Sequence, residues 1–374
     1  MIRLKGSVIK LGAATVLILS AVLVFELFPA ALSELAGRLM LCSVQSYLPT
    51  DGTSVFADFK NESTSVEDKP VTHTPVKTTS SETANDLTAV DEDIVKLIKT
   101  AEKNAKKDKK DGEIYEYTFT DDGATDSFGK VRVKNTNKTQ IDIEEKLAEK
   151  LGLCVNKKEP AVLIYHTHTT ETYQLLDRDF YARGFLSRSS DEARNMIRVG
   201  RAIASEIERK GYKVIHVTDT YDNPYTGAYS RSREAIEKYL EKYPSIQITL
   251  DIHRDAIQND SGVKTKPVAT VNGKKAAQVM IITGCQEEGN GITDLPEWEK
   301  NLTFALKLQN NMETDFEGLT RPVFFCDRSY NMGLTPFSLL VEVGTDANTL
   351  DEAVYSGKMV GVALTEILKE YEEK

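Results

Sequence analysis

Apolar runs alternate with longer amphipathic segments through the last two thirds of the chain. Ala161–Ile164 is a short, wholly apolar run that predicts a buried strand. Residues 191–210 place Ile197, Ile203 and Ile207 on one side of a predicted helix. Further strands are predicted from Tyr212, Ser245 and Phe337, further helices from Ser230, Trp298 and Leu350, and a hairpin that turns at Asn272-Gly273. This alternation predicts an α/β fold with a mostly parallel, twisted sheet and helices on both faces.

Two strand-like segments and a short helix precede this alternation. Apolar and polar positions alternate in residues 114–119 and 130–135, on either side of a turn-rich stretch with two glycines, which predicts a hairpin. Helical spacing begins at Ile141 and ends near Gly152. We therefore predict that the main domain occupies residues 111–374.

The N-terminal segment has the pattern of a membrane anchor. Three basic residues lie within the first ten positions, and an almost wholly apolar stretch follows from Leu11 to Ser33, interrupted by Glu26. About 20 residues are enough for a helix to cross a bilayer, and the basic flank stays in the cytoplasm. We therefore predict a single-pass anchor at the cell membrane within residues 1–33, with an extracytoplasmic main domain. A signal peptide cleaved near residues 31–33 is the alternative, and it also exports the domain.

A linker is predicted between the anchor and the main domain, over residues 34–110. Its first part is rich in Thr, Ser, Lys and Glu and contains few large apolar residues, so it cannot bury enough surface to offset the entropy of ordering. The segment from Asp91 has acids at its start and lysines at its end, which favours a helix. Only its first turns are apolar, so we expect a solvated spacer helix.

Composition narrows the range of functions. The 374-residue chain is 40% hydrophobic, which suffices for a sizeable core, and its formal net charge is −10. An acidic chain does not offer the basic face that a nucleic-acid partner requires. Its four cysteines form no Cys-x-x-Cys pair, so neither a zinc ribbon nor a disulfide framework is predicted.

Ionisable residues gather where three of the predicted strands end. The first strand is followed by His166, His168 and Glu171, the strand from Ser245 ends in Asp251, His253, Arg254 and Asp255, and the strand from Phe337 leads to Glu342. In open α/β sheets, ligands bind beyond the carboxyl ends of the strands. These side chains are therefore expected to form one site.

The residue types at this predicted site are those of a catalytic zinc centre. Two histidines and one carboxylate, with a fourth position open to water, are a common ligand set for Zn²⁺. His168 and Glu171 form a His-x-x-Glu pair, and His253 supplies a third ligand. Glu342 is then the candidate general base. A His-x-x-Glu pair is a weak signal by itself, and the convergence of three strand ends strengthens it.

Several roles stay open at this point. Regular alternation would place His166 and His168 on the same side of the strand, so spacing does not decide which of them is the ligand. The other, together with Asp251, is expected to support a ligand or to contact substrate. Arg254 is a candidate for stabilising an oxyanion or binding a peptide carboxylate, with an ion pair to a neighbouring aspartate as the structural alternative. His216 lies in the middle of a strand and is predicted to be a core or edge residue.

Four motifs in this order resemble the stage II sporulation protein P family: VLIYHTHTTETY, NMIRVG, DIHRDA and LLVEVG. The resemblance implies a membrane-anchored zinc N-acetylmuramoyl-L-alanine amidase that also cleaves stem peptides. It implies a role in septal wall thinning and engulfment during sporulation, with peptidoglycan as substrate and stage II sporulation proteins D and M as partners. The implied site residues are His168, Glu171, His253 and Glu342.

The carboxylate ligand has an alternative position in the sequence. The wider cell-wall amidases carry their glutamate ligand at the start of the next helix, which in this chain is near Glu192 and Asn195. The His-x-x-Glu spacing instead is similar to that of the zinc carboxypeptidases. Glu171 is favoured because it lies close to His168 and belongs to the family's own motif.

Two other functions compete with the amidase. One is a wall peptidase of the zinc carboxypeptidase type, and the other is a non-catalytic wall-binding scaffold. All four expected site residues are present, which favours an enzyme over a scaffold.

Overall fold

A computed structural model describes residues 86–373. The predicted anchor or signal segment and most of the predicted linker lie outside these residues. Among the described helices, none combines the length and apolar character needed to cross a membrane. The predicted division of the chain into anchor, linker and main domain stays a prediction.

Twelve strands and six helices make up the described part of the chain. The strands are β1 (Lys110–Tyr117), β2 (Asp126–Phe128), β3 (Val131–Asn135), β4 (Pro160–Tyr165), β5 (Phe180–Ala182), β6 (Lys213–His216), β7 (Ile248–Asp255), β8 (Lys264–Val271), β9 (Lys274–Ala277), β10 (Val279–Gly284), β11 (Val323–Cys326) and β12 (Phe337–Thr345). The helices are α1 (Glu92–Ala105), α2 (Ile143–Ala148), α3 (Met196–Arg209), α4 (Ala228–Lys242), α5 (Trp298–Asp315) and α6 (Leu350–Glu370).

Eight of the strands form one sheet in the order β2-β3-β11-β10-β12-β7-β4-β6. Its pairings are parallel except for β2 with β3 and β10 with β12. The prediction of a mostly parallel sheet is therefore confirmed. The three predicted site strands β4, β7 and β12 are neighbours and run in the same direction, so their carboxyl ends meet at one edge.

Helices cover both faces of this sheet, as predicted. Buried residues of α3, α5 and α6 form the main core against one face. On the other face, α4 packs Ile236 against Leu163 and Tyr165 of β4. Helices therefore pack on both faces of β4, the first of the strands that carry the predicted site.

The remaining four strands form a second sheet in the order β5-β1-β8-β9. The predicted hairpin between residues 114–119 and 130–135 is wrong, because β1 pairs with β5 and β8 while β3 joins the large sheet and pairs with β2. The predicted turn at Asn272-Gly273 is confirmed, with positive φ at both residues between antiparallel β8 and β9. After Gln278 the chain leaves the second sheet and enters the large one as β10.

Helix α1 packs against the domain and is not the solvated spacer that its sequence predicts. Its residue Ile94 is fully buried in the main core. Just before the helix, the Asp91 carboxylate binds the side chains of Arg198 and of Lys358, the latter at 2.8 Å. The sequence did not reveal this docking, because its partners lie more than a hundred residues away.

Asp91→Asn is expected to lower the free energy of unfolding at pH 7 by about 1 kcal/mol. Burial alone would raise the pKa of Asp91, but Lys358 and Arg198 lower it below the ordinary value. A carboxyl with a lowered folded-state pKa stabilises above its unfolded pKa of about 3.9 and loses that effect as the pH falls. Denaturant unfolding should therefore show a lower free energy of unfolding for Asp91→Asn than for wild type at pH 7. This difference should disappear as the pH falls below about 4. Glu92→Gln is the control, and equal effects of the two substitutions would refute the docking role.

Candidate metal centre

The loop that follows β4 is fixed by β7. β4 ends at Tyr165, and the chain then turns out of the sheet at Thr167. The backbone N–H and the hydroxyl of Thr167 both donate to the Asp251 carboxylate, at 2.8 and 2.6 Å. These two hydrogen bonds interrupt the regular alternation of the strand. The His166 ring therefore lies beside His216, whereas the His168 ring lies beside Glu171 and His253.

His168, Glu171 and His253 come together at the carboxyl ends of β4 and β7. One ligand atom from each lies within 4.8 Å of the other two. Nδ1 of His168 is 3.5 Å from Oε1 of Glu171, and Nδ1 of His253 is 3.8 Å from Oε2 of the same residue. Within residues 86–373, no other group of His, Cys, Asp and Glu has this arrangement. The donor set fits a zinc ion, because two imidazole nitrogens and a carboxylate oxygen lie close enough together to share one ion.

Glu171 is held in its ionised form. Its carboxylate is buried, and it accepts hydrogen bonds from Arg188 Nη2 at 3.3 Å and from the backbone N–H of Arg254 at 3.2 Å. Burial alone would raise the pKa of Glu171, but the positive charge of Arg254 and the neighbouring histidines lower it to about 2. A metal ligand must be deprotonated, and these contacts keep the Glu171 carboxylate deprotonated at neutral pH.

Asp251 orients the His253 ring. Nε2 of His253 lies 2.8 Å from Oδ1 of Asp251, in an ion-pair contact without the alignment of a full hydrogen bond. Burial alone would lower the pKa of His253, but the Asp251, Glu171 and Glu342 carboxylates raise it to about 9. A carboxylate on one ring nitrogen leaves the other nitrogen, here Nδ1, to face the metal. The sequence-based expectation that Asp251 supports a ligand agrees with this geometry.

Asp251→Asn is expected to weaken zinc binding by about 10- to 100-fold, because the partner that orients the His253 ring loses its charge. A competition titration against a fluorescent zinc chelator measures this change. Thr249→Val, one pleat earlier on the same strand, is the matched control, since the Thr249 hydroxyl contacts Ser338 and no ligand. Zinc affinity that is the same in Asp251→Asn and wild type would show that Asp251 does not act on the site.

Glu342 lies beside the cluster. On the neighbouring parallel strand β12 it is in register with His253, so the two side chains point to the same face of the sheet. Its Oε2 atom is buried and has no hydrogen-bond partner. Burial and the nearby Asp255 raise the pKa of Glu342 to about 8, although His253 opposes the shift. Such a carboxyl group can both accept and release a proton near neutral pH.

Arg254 does not face the cluster with its side chain. The guanidinium is buried and donates to the backbone carbonyls of Thr172 at 3.1 Å, Asp255 at 3.3 Å and Ser187 at 2.8 Å. These bonds tie β7 to the loop after Glu171. The predicted contact with an oxyanion or a peptide carboxylate is therefore not supported, and neither is the alternative ion pair with an aspartate carboxylate.

The alternative ligand positions lie outside the cluster. His166 is fully buried beneath α3, where its Nε2 is 2.9 Å from Nε2 of His216, and burial lowers its pKa to about 4. Glu192 is exposed and pairs with Arg201 at 3.5 Å. Asn195 caps α3 by accepting a hydrogen bond from the Ile197 N–H at 3.1 Å. The geometry thus favours His168 and Glu171 over these residues.

Aromatic residues surround the two histidines, and the sequence pattern did not predict them. The half-exposed ring of Tyr225 stacks on His168 with centroids 4.7 Å apart. Tyr229 contacts the rings of both His168 and His253, and Tyr330 packs on Tyr229 at 5.4 Å. Tyr225 and Tyr330 lie in loops outside the helices and strands, where the hydrophobic pattern has no period, so the pattern gave no signal for either residue. The three tyrosine rings therefore pack together with the two histidines on one side of the cluster.

Two solved structures are similar to part of this chain. An N-acetylmuramoyl-L-alanine amidase of Nostoc punctiforme matches with 11% identity and a TM-score of 0.33, over 56% of this chain and 96% of that one. The CwlD amidase from Clostridioides difficile, solved in complex with the GerS lipoprotein, matches with 12% identity and a TM-score of 0.34, over 56% of this chain and 98% of that one.

Sequence comparison finds a curated relative and a family. Stage II sporulation protein P of Bacillus subtilis is 29% identical over 207 residues, which are 51% of this chain and 47% of the relative. The match thus spans about half the length of that relative. The family model for stage II sporulation protein P matches residues 46–365. Because that match covers most of the 374 residues, the chain belongs to the stage II sporulation protein P family.

Proposed function

We propose that this protein is a zinc-dependent peptidoglycan hydrolase that cleaves the amide bond between the N-acetylmuramoyl lactyl group and L-alanine. One observation carries the proposal: His168, Glu171 and His253 converge beside Glu342, whose Oε2 is buried without a partner. Membership of the stage II sporulation protein P family supports the choice of substrate.

The residues of the cluster have distinct proposed roles. His168, Glu171 and His253 hold Zn²⁺, which, when bound, polarises the substrate carbonyl and acidifies water. Glu342 takes one proton from the attacking water as the C–O bond forms at the lactyl carbonyl carbon. It then delivers that proton to the L-alanine nitrogen as the C–N bond breaks. The direct products are a lactyl carboxylic acid and a peptide with a free amino group, so atoms and charge balance. Transfer of the acid proton to the amine then gives the carboxylate and the ammonium group that exist at neutral pH.

The carboxypeptidase alternative is less well supported. Such an enzyme needs a cation to bind the terminal carboxylate of its substrate. Two arginines near the cluster already have partners. Arg188 bridges Asp222 at 2.5 Å and Glu171 at 3.3 Å, and Arg254 donates to backbone carbonyls. A third, Arg321, pairs with Asp255 at 2.8 Å. An internal amide without a terminal carboxylate therefore fits this site better.

The scaffold alternative does not account for Glu342. A buried carboxylate oxygen without a hydrogen bond destabilises the folded protein. A protein that only binds the wall gains nothing from such a group, whereas a hydrolase uses it for proton transfer. The unpartnered Oε2 atom therefore favours catalysis.

The wider setting is proposed on family grounds. We propose that the same site also cleaves cross-linked stem peptides and that the protein acts in septal wall remodelling and engulfment during sporulation. An N-terminal membrane anchor within residues 1–33 would hold the catalytic domain outside the cytoplasm. Stage II sporulation proteins D and M are the proposed partners.

Mass spectrometry of digested peptidoglycan tests the proposed reaction. Purified protein with zinc is expected to release peptides that begin with free L-alanine and to leave glycan strands that carry lactyl carboxylates. A strong chelator should stop the release, and added zinc should restore it. Glycan strands that remain fully substituted with peptide after digestion would refute the amidase assignment, and loss of only a C-terminal residue from the stem would instead establish the carboxypeptidase alternative.

A further inference from the structure

His166, which does not join the metal cluster, lies at the junction of both ligand-bearing segments. Its fully buried ring places Nδ1 3.0 Å from the carbonyl oxygen of Ile252, the residue before His253. Its own carbonyl oxygen accepts a hydrogen bond of 2.7 Å from the Thr169 hydroxyl, and Thr169 lies between His168 and Glu171. One residue thus connects the loop of two proposed ligands to the strand of the third.

The hydrogen bonds of the ring fix its tautomer. A carbonyl oxygen can only accept, so Nδ1 of His166 carries the proton that is donated to Ile252. In a neutral imidazole the other nitrogen, Nε2, is then an acceptor. His216 Nε2, 2.9 Å away on the neighbouring strand β6, must be the donor to it. The direction of both bonds is therefore determined, and His216 holds His166 in the orientation that reaches β7.

Helix α3 closes over this pair at Gly200. A Cβ atom at Gly200 would lie 2.6 Å from Nε2 of His166 and 2.6 Å from Nε2 of His216. Real Cβ contacts are longer than this, so any larger residue would push the two rings out of place. Gly200 is therefore the residue that lets the helix pack on the imidazole pair.

We infer that the His166–His216 pair, packed beneath Gly200, is a positioning unit that sets the spacing between His253 and the His168–Glu171 loop. This inference rests on the proposed function, because the spacing has meaning only if these three residues bind a metal. Neither histidine touches the metal or the substrate. Their effect on the site passes through the Ile252 carbonyl and the Thr169 hydroxyl.

The inference is tested by zinc affinity in three variants that leave every proposed ligand intact. His216→Leu removes the donor to His166, and Gly200→Ala displaces both rings, so each is expected to weaken zinc binding by about 10- to 100-fold. His216→Gln keeps an N–H group near the position of Nε2 and should restore affinity to within about threefold of wild type. Affinity is measured by chelator competition, and the absorption spectrum of the Co²⁺-loaded protein should change in the two weakened variants.

A matched control separates positioning from loss of stability. A Cβ atom at Gly112 would lie 2.2 Å from the hydroxyl oxygen of Tyr181, in the second sheet and away from the imidazole pair. Gly112→Ala is therefore expected to lower the melting temperature without changing zinc affinity or the Co²⁺ spectrum. If His216→Leu does not fold, Gly200→Ala and His216→Gln still give the comparison.

Two results would overturn the inference or its basis, and they are distinguishable. Folded Gly200→Ala or His216→Leu protein that binds zinc as tightly as wild type, with an unchanged Co²⁺ spectrum, would overturn the positioning role and leave the proposed function intact. A wild-type protein that binds no zinc would overturn the proposed function itself.

Discussion

Glu342→Gln is expected to reduce the rate of amide hydrolysis by about 10²- to 10⁴-fold, the usual contribution of a general base. The amide side chain retains the size and one oxygen of the carboxylate but cannot take a proton from water. Zinc content should stay near that of wild type, because Glu342 faces the cluster from β12 without being one of its three donors. The rate is measured by the release of peptide amino termini from purified peptidoglycan.

A control for this substitution comes from a buried glutamate elsewhere. Glu206 on α3 pairs with Arg209 and has no contact with the cluster. Glu206→Gln should retain wild-type activity per folded molecule. We also expect Glu342→Gln to melt no lower than wild type, since it replaces a buried carboxylate whose Oε2 atom has no partner. Unchanged hydrolysis by Glu342→Gln would rule out Glu342 as the base.

Removal of a single ligand is expected to abolish stoichiometric zinc binding. Each of His168→Ala and Glu171→Gln leaves only two donors, and we expect the affinity to fall by well over the roughly 100-fold that loss of a supporting residue causes. Glu171→Gln should also weaken the ion pair between Arg188 and residue 171, so that Arg188 pairs with Asp222 alone. Zinc content of protein dialysed with limiting chelator measures the effect.

Glu192→Gln is the matched control for Glu171→Gln. The alternative carboxylate ligand predicted from the sequence lies near Glu192. Glu192 is exposed and pairs with Arg201, so its loss should leave zinc content unchanged. Loss of zinc in Glu192→Gln and its retention in Glu171→Gln would reverse the ligand assignment.

The local pattern of apolar and polar residues predicted the elements of the site well. The apolar run before His166 forms β4, and the polar ends of β4, β7 and β12 meet at one edge because parallel neighbouring strands end together. The sequence could therefore predict that candidate donors from β4 and β7 and a carboxylate from β12 lie close together, although spacing left the choice between His166 and His168 open. Turn chemistry at Asn272-Gly273 was likewise predictable, since both residues accept positive φ.

Long-range contacts explain what the sequence did not reveal. The predicted hairpin does not form, because β1 pairs in parallel with β8, about 150 positions later in the chain. The choice between His166 and His168 depended on the capture of Thr167 by Asp251, a contact between residues 84 positions apart. The Arg254 guanidinium, a predicted catalytic group, donates to the backbone carbonyls of Thr172 and Ser187, which lie 82 and 67 positions away. Local periodicity carries no information about such partners.

Anomalous diffraction at the zinc absorption edge, from crystals of the protein grown with zinc, tests the central claim most directly. We predict one strong peak about 2.0–2.2 Å from Nδ1 of His168, a carboxylate oxygen of Glu171 and Nδ1 of His253. A peak bound by His166 and His216 instead, or no peak at the cluster in zinc-grown crystals, would contradict it.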